Sequence, residues 1–223
     1  MSDHPGTDCG SALDMNCVLC GTGKAISTFT VKGRHFYRCT DCELLFVPSE
    51  YHLAVAEERS RYELHDNTLE NDGYVRFLSQ VADIAERFVQ SDRLLLDFGG
   101  GKNAVLATIL HSRGVRCDVY DPLYDFPPLE EKRTYEGIIL CEVIEHCRDL
   151  HTTIGLIDRL IADQGLIIIR TQCYQQNVDL QRWWYAQDPT HINLFSRSAL
   201  EVVASQLRRS LEVTNVPDIF LIR

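Results

Sequence analysis

Short unbroken apolar runs alternate along this chain with stretches in which apolar residues recur at helical spacing. Leu94, Leu95, Leu96 and Phe98, with Asp97 among them, form one such run and lead into Gly99-Gly100-Gly101. An unbroken run predicts a strand covered on both faces, as in a parallel sheet. Ala104, Val105, Ala107, Ile109 and Leu110 follow at helical spacing. The glycines are therefore expected to turn the chain from strand into helix and to bring backbone N–H groups close to a ligand. Arg116–Tyr120 predicts the next strand, and Gly137–Val143 and Leu166–Thr171 predict two more buried ones. Between Asp121 and Gly137 the prolines Pro122, Pro127 and Pro128 leave little room for a helix, and Lys132–Glu136 reads as an abbreviated strand. Asp149 can cap a helix carrying Leu150, Ile154, Ile157, Leu160 and Ile161, with Gln164-Gly165 ending it. Ser196 or Ser198 can cap another with Leu200, Val203, Ala204 and Leu207, and Leu211–Val213 and Ile219–Ile222 suit a terminal pair of strands. Upstream, Tyr74–Val89 reads as an amphipathic helix. The expected fold is α/β, a Rossmann-like parallel sheet with helices on both faces.

A different signal precedes this unit. Cys17-x-x-Cys20 and Cys39-x-x-Cys42 flank an eighteen-residue spacer whose alternation suits a short hairpin. Two such pairs aim four thiolates at one tetrahedral ion, which predicts a zinc ribbon with a structural metal. Cys9 has poorer spacing, and residues 1–15 are polar and expected to be disordered. The resulting division is a tail over 1–15, a ribbon over 16–48, a linker with N-terminal helices on the substrate side over 49–92, and a cofactor-binding domain over 93–223.

Charge narrows the partners. The 223 residues carry a formal net charge of −10, which argues against general polyanion binding, although Lys24, Lys32, Arg34, His35 and Arg38 make the ribbon spacer basic. No apolar run spans a bilayer and no signal peptide is visible, so a cytoplasmic protein without membrane partners is expected. Nine cysteines in that setting read as reduced thiols or metal ligands. Asp121 follows the glycines by a little over twenty residues, where a carboxylate suits a ribose hydroxyl pair. The turn carries Lys102-Asn103 in place of a last glycine and has no Gly-Lys-Ser/Thr, which excludes a P-loop and leaves S-adenosylmethionine as the adenosine ligand that fits.

With these motifs the sequence resembles class I S-adenosylmethionine-dependent methyltransferases over roughly residues 60–223, through Leu-Leu-Asp-Phe-Gly-Gly-Gly (95–101), Asp121-Pro122, Cys-Glu-Val-Ile-Glu-His (141–146) and Gln-Gly-Leu-Ile-Ile-Ile-Arg-Thr (164–171). Its layout is similar to bacterial methyltransferases with an N-terminal zinc ribbon, which share Tyr-x-Leu-His-x-Asn (62–67) and Trp-x-Tyr-x-x-Asp-Pro-Thr-His (183–191). The resemblance implies cofactor contacts at Asp97, Gly99, Gly100, Gly101, Asp121, Pro122, Cys141, Glu142 and Val143.

Glu142-x-x-Glu145-His146 is similar to the Glu-x-x-Glu-His of ubiquinone-pathway and small-RNA 2′-O-methyltransferases, which hold a divalent metal with a further histidine, here His191. The resemblance thus implies a second divalent site at Glu142, Glu145, His146 and His191; the metal-free reading keeps Glu145, His146 and His191 as the catalytic groups, with His146 or His191 as base. Trp183, Trp184 and Tyr185 can stack on a planar acceptor or pack a lid, and Tyr62, His65 and Tyr74 can close the same pocket or serve as packing. The expected reaction is methylation of a small-molecule nucleophile, a hydroxyl first. The alternatives are an RNA or protein methyltransferase docking through its ribbon, and a non-catalytic zinc-stabilised scaffold.

Overall fold

The computed structural model describes residues 15–88, 92–130, 133–175 and 177–223. Cys9, Val89, Lys132 and nearly all of the predicted tail lie outside the described residues.

The first elements form a small antiparallel sheet. β1 (Ala25–Val31) and β2 (Arg34–Cys39) are the hairpin expected between the cysteine pairs. Leu45 and Phe46 form β3, which pairs with β2 on one side. On its other side β3 pairs with a strand from far downstream, described below. A 3₁₀ turn and the helix α1 (Val55–Tyr62) follow, then α2 (Asp72–Phe88), which buries Leu78, Val81, Ala82, Ile84 and Ala85.

The second sheet starts at β4 (Leu94–Phe98) and continues through α3 (Val105–Ser112), β5 (Arg116–Tyr120), β6 (Tyr135–Cys141), α4 (Leu150–Leu160) and β7 (Ile161–Arg170). Then come α5 (Trp184–Gln187), β8 (Asn193–Leu194), α6 (Arg197–Gln206), β9 (Leu211–Val213) and β10 (Ile219–Ile222). Its strand order is β5-β4-β6-β7-β10-β9. The first four strands are parallel, and the terminal pair is antiparallel, so the sheet is mixed rather than wholly parallel. Asp149 caps α4 by accepting from the Thr152 N–H, and Ser196 caps α6 by accepting from Ala199. One buried cluster covers the α2–α3 face, and another covers the α4–α6 face.

Two local expectations change. Residues 133–136 do not form a strand of their own; Tyr135 and Glu136 begin the single strand β6, because Tyr135 pairs directly with Ile161 of β7. Gly165 does not end α4: the helix stops at Leu160, and Gly165 sits in an irregular stretch of β7 where a Cβ would stand 2.6 Å from Ile161 Cδ1. The four-cysteine segment has no separate core around its thiols. Cys17, Leu19, Cys39, Cys42, Leu44 and Phe46 share one buried cluster with Leu140, Phe195 and Leu200 of the larger sheet's α4–α6 face. The link is β3, whose Leu45 and Phe46 pair with Leu194 and Asn193 of β8. No helix among the described residues is long and apolar enough to cross a membrane.

Candidate functional site

At the carboxyl end of β4 the glycine turn is built more tightly than its sequence suggests. The N–H groups of Gly99 and Gly100 donate to Tyr120 O at 2.6 and 3.3 Å, and that of Gly101 donates to Asp121 Oδ2 at 2.9 Å. These N–H groups fasten the turn to the end of β5 rather than projecting at a ligand, which corrects the expectation from the glycine pattern. Gly100 is required by packing: a Cβ there would stand 2.6 Å from Val119 Cγ1 and 2.9 Å from Asp97 Oδ2. Gly101, at φ +65°, has open space where its Cβ would be, so the approach to the turn lies over this residue. The helix starts at Val105, because Ala104 adopts a left-handed conformation (φ 45°) and ends a separate turn first.

Two carboxylates lie at this turn, Asp97 on β4 and Asp121 just after β5. Asp121 also accepts from the Leu123 N–H at 2.9 Å, so each of its oxygens already holds one backbone donor, and burial raises its pKa. Asp97 is only 2% exposed, and its Oδ2 has no hydrogen-bond partner among the described residues. Burial pushes the Asp97 carboxyl up to about 7. An orphaned buried acceptor packed under Gly100 of the turn is a fit for a cationic donor group. Without one, the carboxylate costs stability. Its folded-state pKa exceeds the usual 3.8, so its contribution is fully favourable below pH ~4 and is lost as pH rises through about 7. Asp97→Asn removes that loss. In thermal melts above pH 8 the ligand-free variant is expected to gain several degrees over wild type, the difference shrinking towards pH 4.

The second group of residues gathers beyond β6. Cys141 ends the strand and Glu142 and Val143 follow it, with Val143 packed where a Gly99 Cβ would be, 2.5 Å from its Cγ2. Glu142 has φ +54° and donates its N–H to Arg170 O. Burial, reinforced by Glu145, raises its carboxyl to about 8. Glu145 is fully buried and accepts from Tyr185 OH at 2.5 Å and from Thr171 Oγ1 at 3.1 Å. His146 Nδ1 lies 2.9 Å from Thr190 O, and His191 Nδ1 lies 2.7 Å from Tyr185 O. A carbonyl only accepts, so both Nδ1 atoms carry the proton in these bonds, and Nε2 is the position at which each ring can take up or release a proton. The two rings stack edge to face at 4.7 Å, and burial, then His146, holds His191 down to about 3.

Glu145, His146 and His191 each present a ligand atom within 4.8 Å of the others, with His146 Nε2 lying 4.0 Å from Glu145 Oε1. Carbonyl-anchored imidazoles and a hydrogen-bonded carboxylate are the outer shell that metal-ligating groups require. Glu142 is not in this group, which corrects the four-residue set expected from the sequence to three. Cys17, Cys20, Cys39 and Cys42 form the other such group. The Sγ atoms of Cys17 and Cys20 accept from the Leu19 and Gly23 N–H groups, and that of Cys39 accepts from those of Asp41 and Cys42, all at 3.3–3.4 Å, bonds that suit thiolates on a tetrahedral ion.

Aromatic residues close the site unevenly. Tyr62 of α1 lies edge-on to His146 at 5.4 Å and donates to Glu58. α1 is held down by Arg148 donating to Glu58 (2.6 Å) and by Arg61 donating twice to Asp188 (3.0 and 2.9 Å). Trp183 is half-buried against Tyr185, and Trp184 is 61% exposed. Tyr185 is fully buried, so its ring cannot stack on an acceptor; its hydroxyl instead orients Glu145. His65 is exposed on the turn after α1, Pro122 is exposed beside Asp121, and neither is brought to the Glu–His group. The basic spacer is also largely committed: Arg34 is buried, Arg38 pairs with Glu43, and Lys32 donates to Gln187 O. That removes much of the surface on which the RNA-docking alternative rested.

An opening at the carboxyl ends of parallel strands, with a Glu–His group just past the end of β6, defines the ligand-binding edge of an α/β sheet. The family profile described as "Methyltransferase domain" matches residues 72–207, and the chain belongs to this family. No curated protein is matched by the sequence comparison. Similar solved structures include an O-methyltransferase family protein from Burkholderia thailandensis (TM-score 0.54, 16% identity, 74% of this chain and 61% of that one). Another is the 1,6-didemethyltoxoflavin-N1-methyltransferase of the same organism, with 1,6-didemethyltoxoflavin and S-adenosylhomocysteine bound (0.56, 15%, 82% and 95%). A third is the mitomycin 7-O-methyltransferase MmcR (0.50, 10%, 78% and 68%). At these identities the likeness is one of fold, and the chain spans 61% of the length of the first.

Proposed function

We propose that this protein is an S-adenosylmethionine-dependent methyltransferase acting on a small-molecule nucleophile, with a hydroxyl as the methylated group. The observation that carries the reading is the placing of His146 and His191, each anchored through Nδ1 to a backbone carbonyl, so that their rings sit beside buried Glu145 just past the end of β6, next to the glycine turn. S-adenosylmethionine supplies, when bound, an electrophilic methyl group on a sulfonium. Asp97 would hold the ammonium of its methionine end over Gly101, and Asp121 would receive the ribose hydroxyls, with Cys141, Glu142 and Val143 along the sulfonium side. His146 or His191 would take the acceptor's proton at Nε2 while Glu145, fixed by Tyr185 and Thr171, stabilises the resulting imidazolium. Tyr62 and the half-exposed Trp183 would exclude water above the acceptor, and Trp184 would border its entrance.

The same three side chains suit a divalent ion, which would lower the acceptor hydroxyl's pKa. The four cysteines would hold structural zinc. The two Burkholderia folds named above belong to an O-methyltransferase family protein and an N1-methyltransferase, so the hydroxyl preference rests on the Glu–His group, not on the fold.

A crystal grown with S-adenosylhomocysteine and soaked in Mn²⁺, with data at the manganese and zinc edges, tests the reading. The expected result is cofactor density over Gly101, a zinc peak among the four cysteines, and a manganese peak among Glu145, His146 and His191. Full cofactor density without the manganese peak would leave the histidines as metal-free bases. Absence of cofactor density over the turn would overturn the assignment.

A further inference from the structure

Arg34 lies on β2 of the four-cysteine hairpin, yet every hydrogen bond its side chain makes to the described residues goes to the loop that carries Tyr185 and His191. Its NH2 donates to Ala186 O at 2.7 Å, and its NH1 donates to His191 O at 3.0 Å and Pro189 O at 3.3 Å. The side chain is 6% exposed, and its Nε has no partner among the described residues. Burying a guanidinium this deeply is costly unless its donors are used. Here they satisfy three carbonyls in an irregular segment where no strand or long helix supplies partners. Lys32, two residues earlier on the hairpin, adds a bond to Gln187 O. The loop then rejoins the site directly, because the Ile192 N–H donates to Glu145 O.

We propose that Arg34 is a positioning residue for the methyl-transfer site, holding the 183–192 loop so that Tyr185 and His191 face Glu145 and His146. The role assigned to those residues rests on the methyltransferase reading above; the pin itself rests on the three bonds. On this account the cysteine hairpin is part of the active-site scaffold rather than a docking module. A planar fork reaches three divergent carbonyls, and an ammonium at the same place reaches fewer.

The chain has two tryptophans, and both, Trp183 and Trp184, lie in this loop. Labelling with 5-fluorotryptophan therefore gives two ¹⁹F resonances that report it alone. In Arg34→Met both resonances are expected to shift and broaden. In Arg34→Lys they are expected to return part of the way. Two controls accompany this: S-adenosylhomocysteine affinity by calorimetry stays within about threefold of wild type, and the Co²⁺–thiolate absorption of the cobalt-substituted four-cysteine site is unchanged. Resonances in Arg34→Met that superimpose on wild type would overturn the proposal. So would loss of the cobalt band in both variants, which would make Arg34 a general folding residue. If wild-type protein bound no S-adenosylhomocysteine, the methyltransferase reading would fail while the ¹⁹F comparison still decided the role of Arg34.

Discussion

Replacing Cys39 by Ser, or stripping the metal with a strong chelator, is expected to lower the melting temperature by at least about 10 °C. Four cysteine Sγ atoms converge here, and Cys17, Cys39 and Cys42 belong to the same buried cluster as Leu140, Phe195 and Leu200. Structural zinc contributes on the order of 10 kcal/mol in isolated finger peptides, comparable to the whole stability of an ordinary domain. For a chain of this size each kcal/mol is worth roughly 2–4 °C. The damage should also travel. β3 leaves Cys42 almost at once and pairs with β8, and Val47 N donates to Ile192 O beside His191. Metal loss should therefore reduce methyl transfer at temperatures where the larger sheet remains folded. Calorimetric melts with and without chelator, alongside zinc quantification, check this. A melt unchanged in protein shown to be zinc-free would contradict a structural role for the metal.

His191→Asn and His146→Asn are each expected to lower kcat about 10²–10⁴-fold, the usual contribution of a positioned acid or base, with S-adenosylhomocysteine affinity within threefold of wild type. Single-turnover transfer of a labelled methyl group, to an acceptor found by screening catechols and vicinal diols, measures it. The pH behaviour adds a discriminating sign. His191 is held down to about 3, so it stays neutral throughout the neutral range and contributes no acid limb near pH 6–7. The same depression makes stability fall as pH drops from about 6.5 towards 3, because there the unfolded chain binds the proton that the folded protein excludes. Asp97, raised to about 7, acts in the opposite direction between pH ~4 and 7. Glu142, raised to about 8, adds to the Asp97 effect, so over that interval stability should fall more steeply with rising pH in His191→Asn than in wild type, and less steeply in Asp97→Asn.

The α/β class and its glycine turn were legible because their signals are local: an apolar run for β4, periodic apolar positions for α3 and α4, side-chain caps at Asp149 and Ser196. The pairing that joins the two sheets was not. β3 and β8 are two residues long, too short to show a period, and Leu45 meets Leu194 across most of the chain. Arg34 misled for a related reason. In sequence it is one basic residue among several in a spacer, and nothing nearby indicates that its carbonyl partners begin at Ala186. Tyr185 read as a ring for an acceptor because it sits beside two tryptophans, but it packs in one buried cluster with Val31 and Phe36 of the hairpin and Leu45 of β3. Glu142 and Glu145 look equivalent in the motif. The left-handed backbone at Glu142 sets them apart and leaves only Glu145 with the histidines.

Titration calorimetry of the zinc-loaded wild-type protein with S-adenosylhomocysteine tests the central claim most directly. The account predicts saturable one-to-one binding in the micromolar range, weakened at least tenfold in Asp97→Asn, because the orphaned carboxylate is the group assigned to the ammonium. No binding at millimolar ligand, or equal affinity in Asp97→Asn, would contradict it.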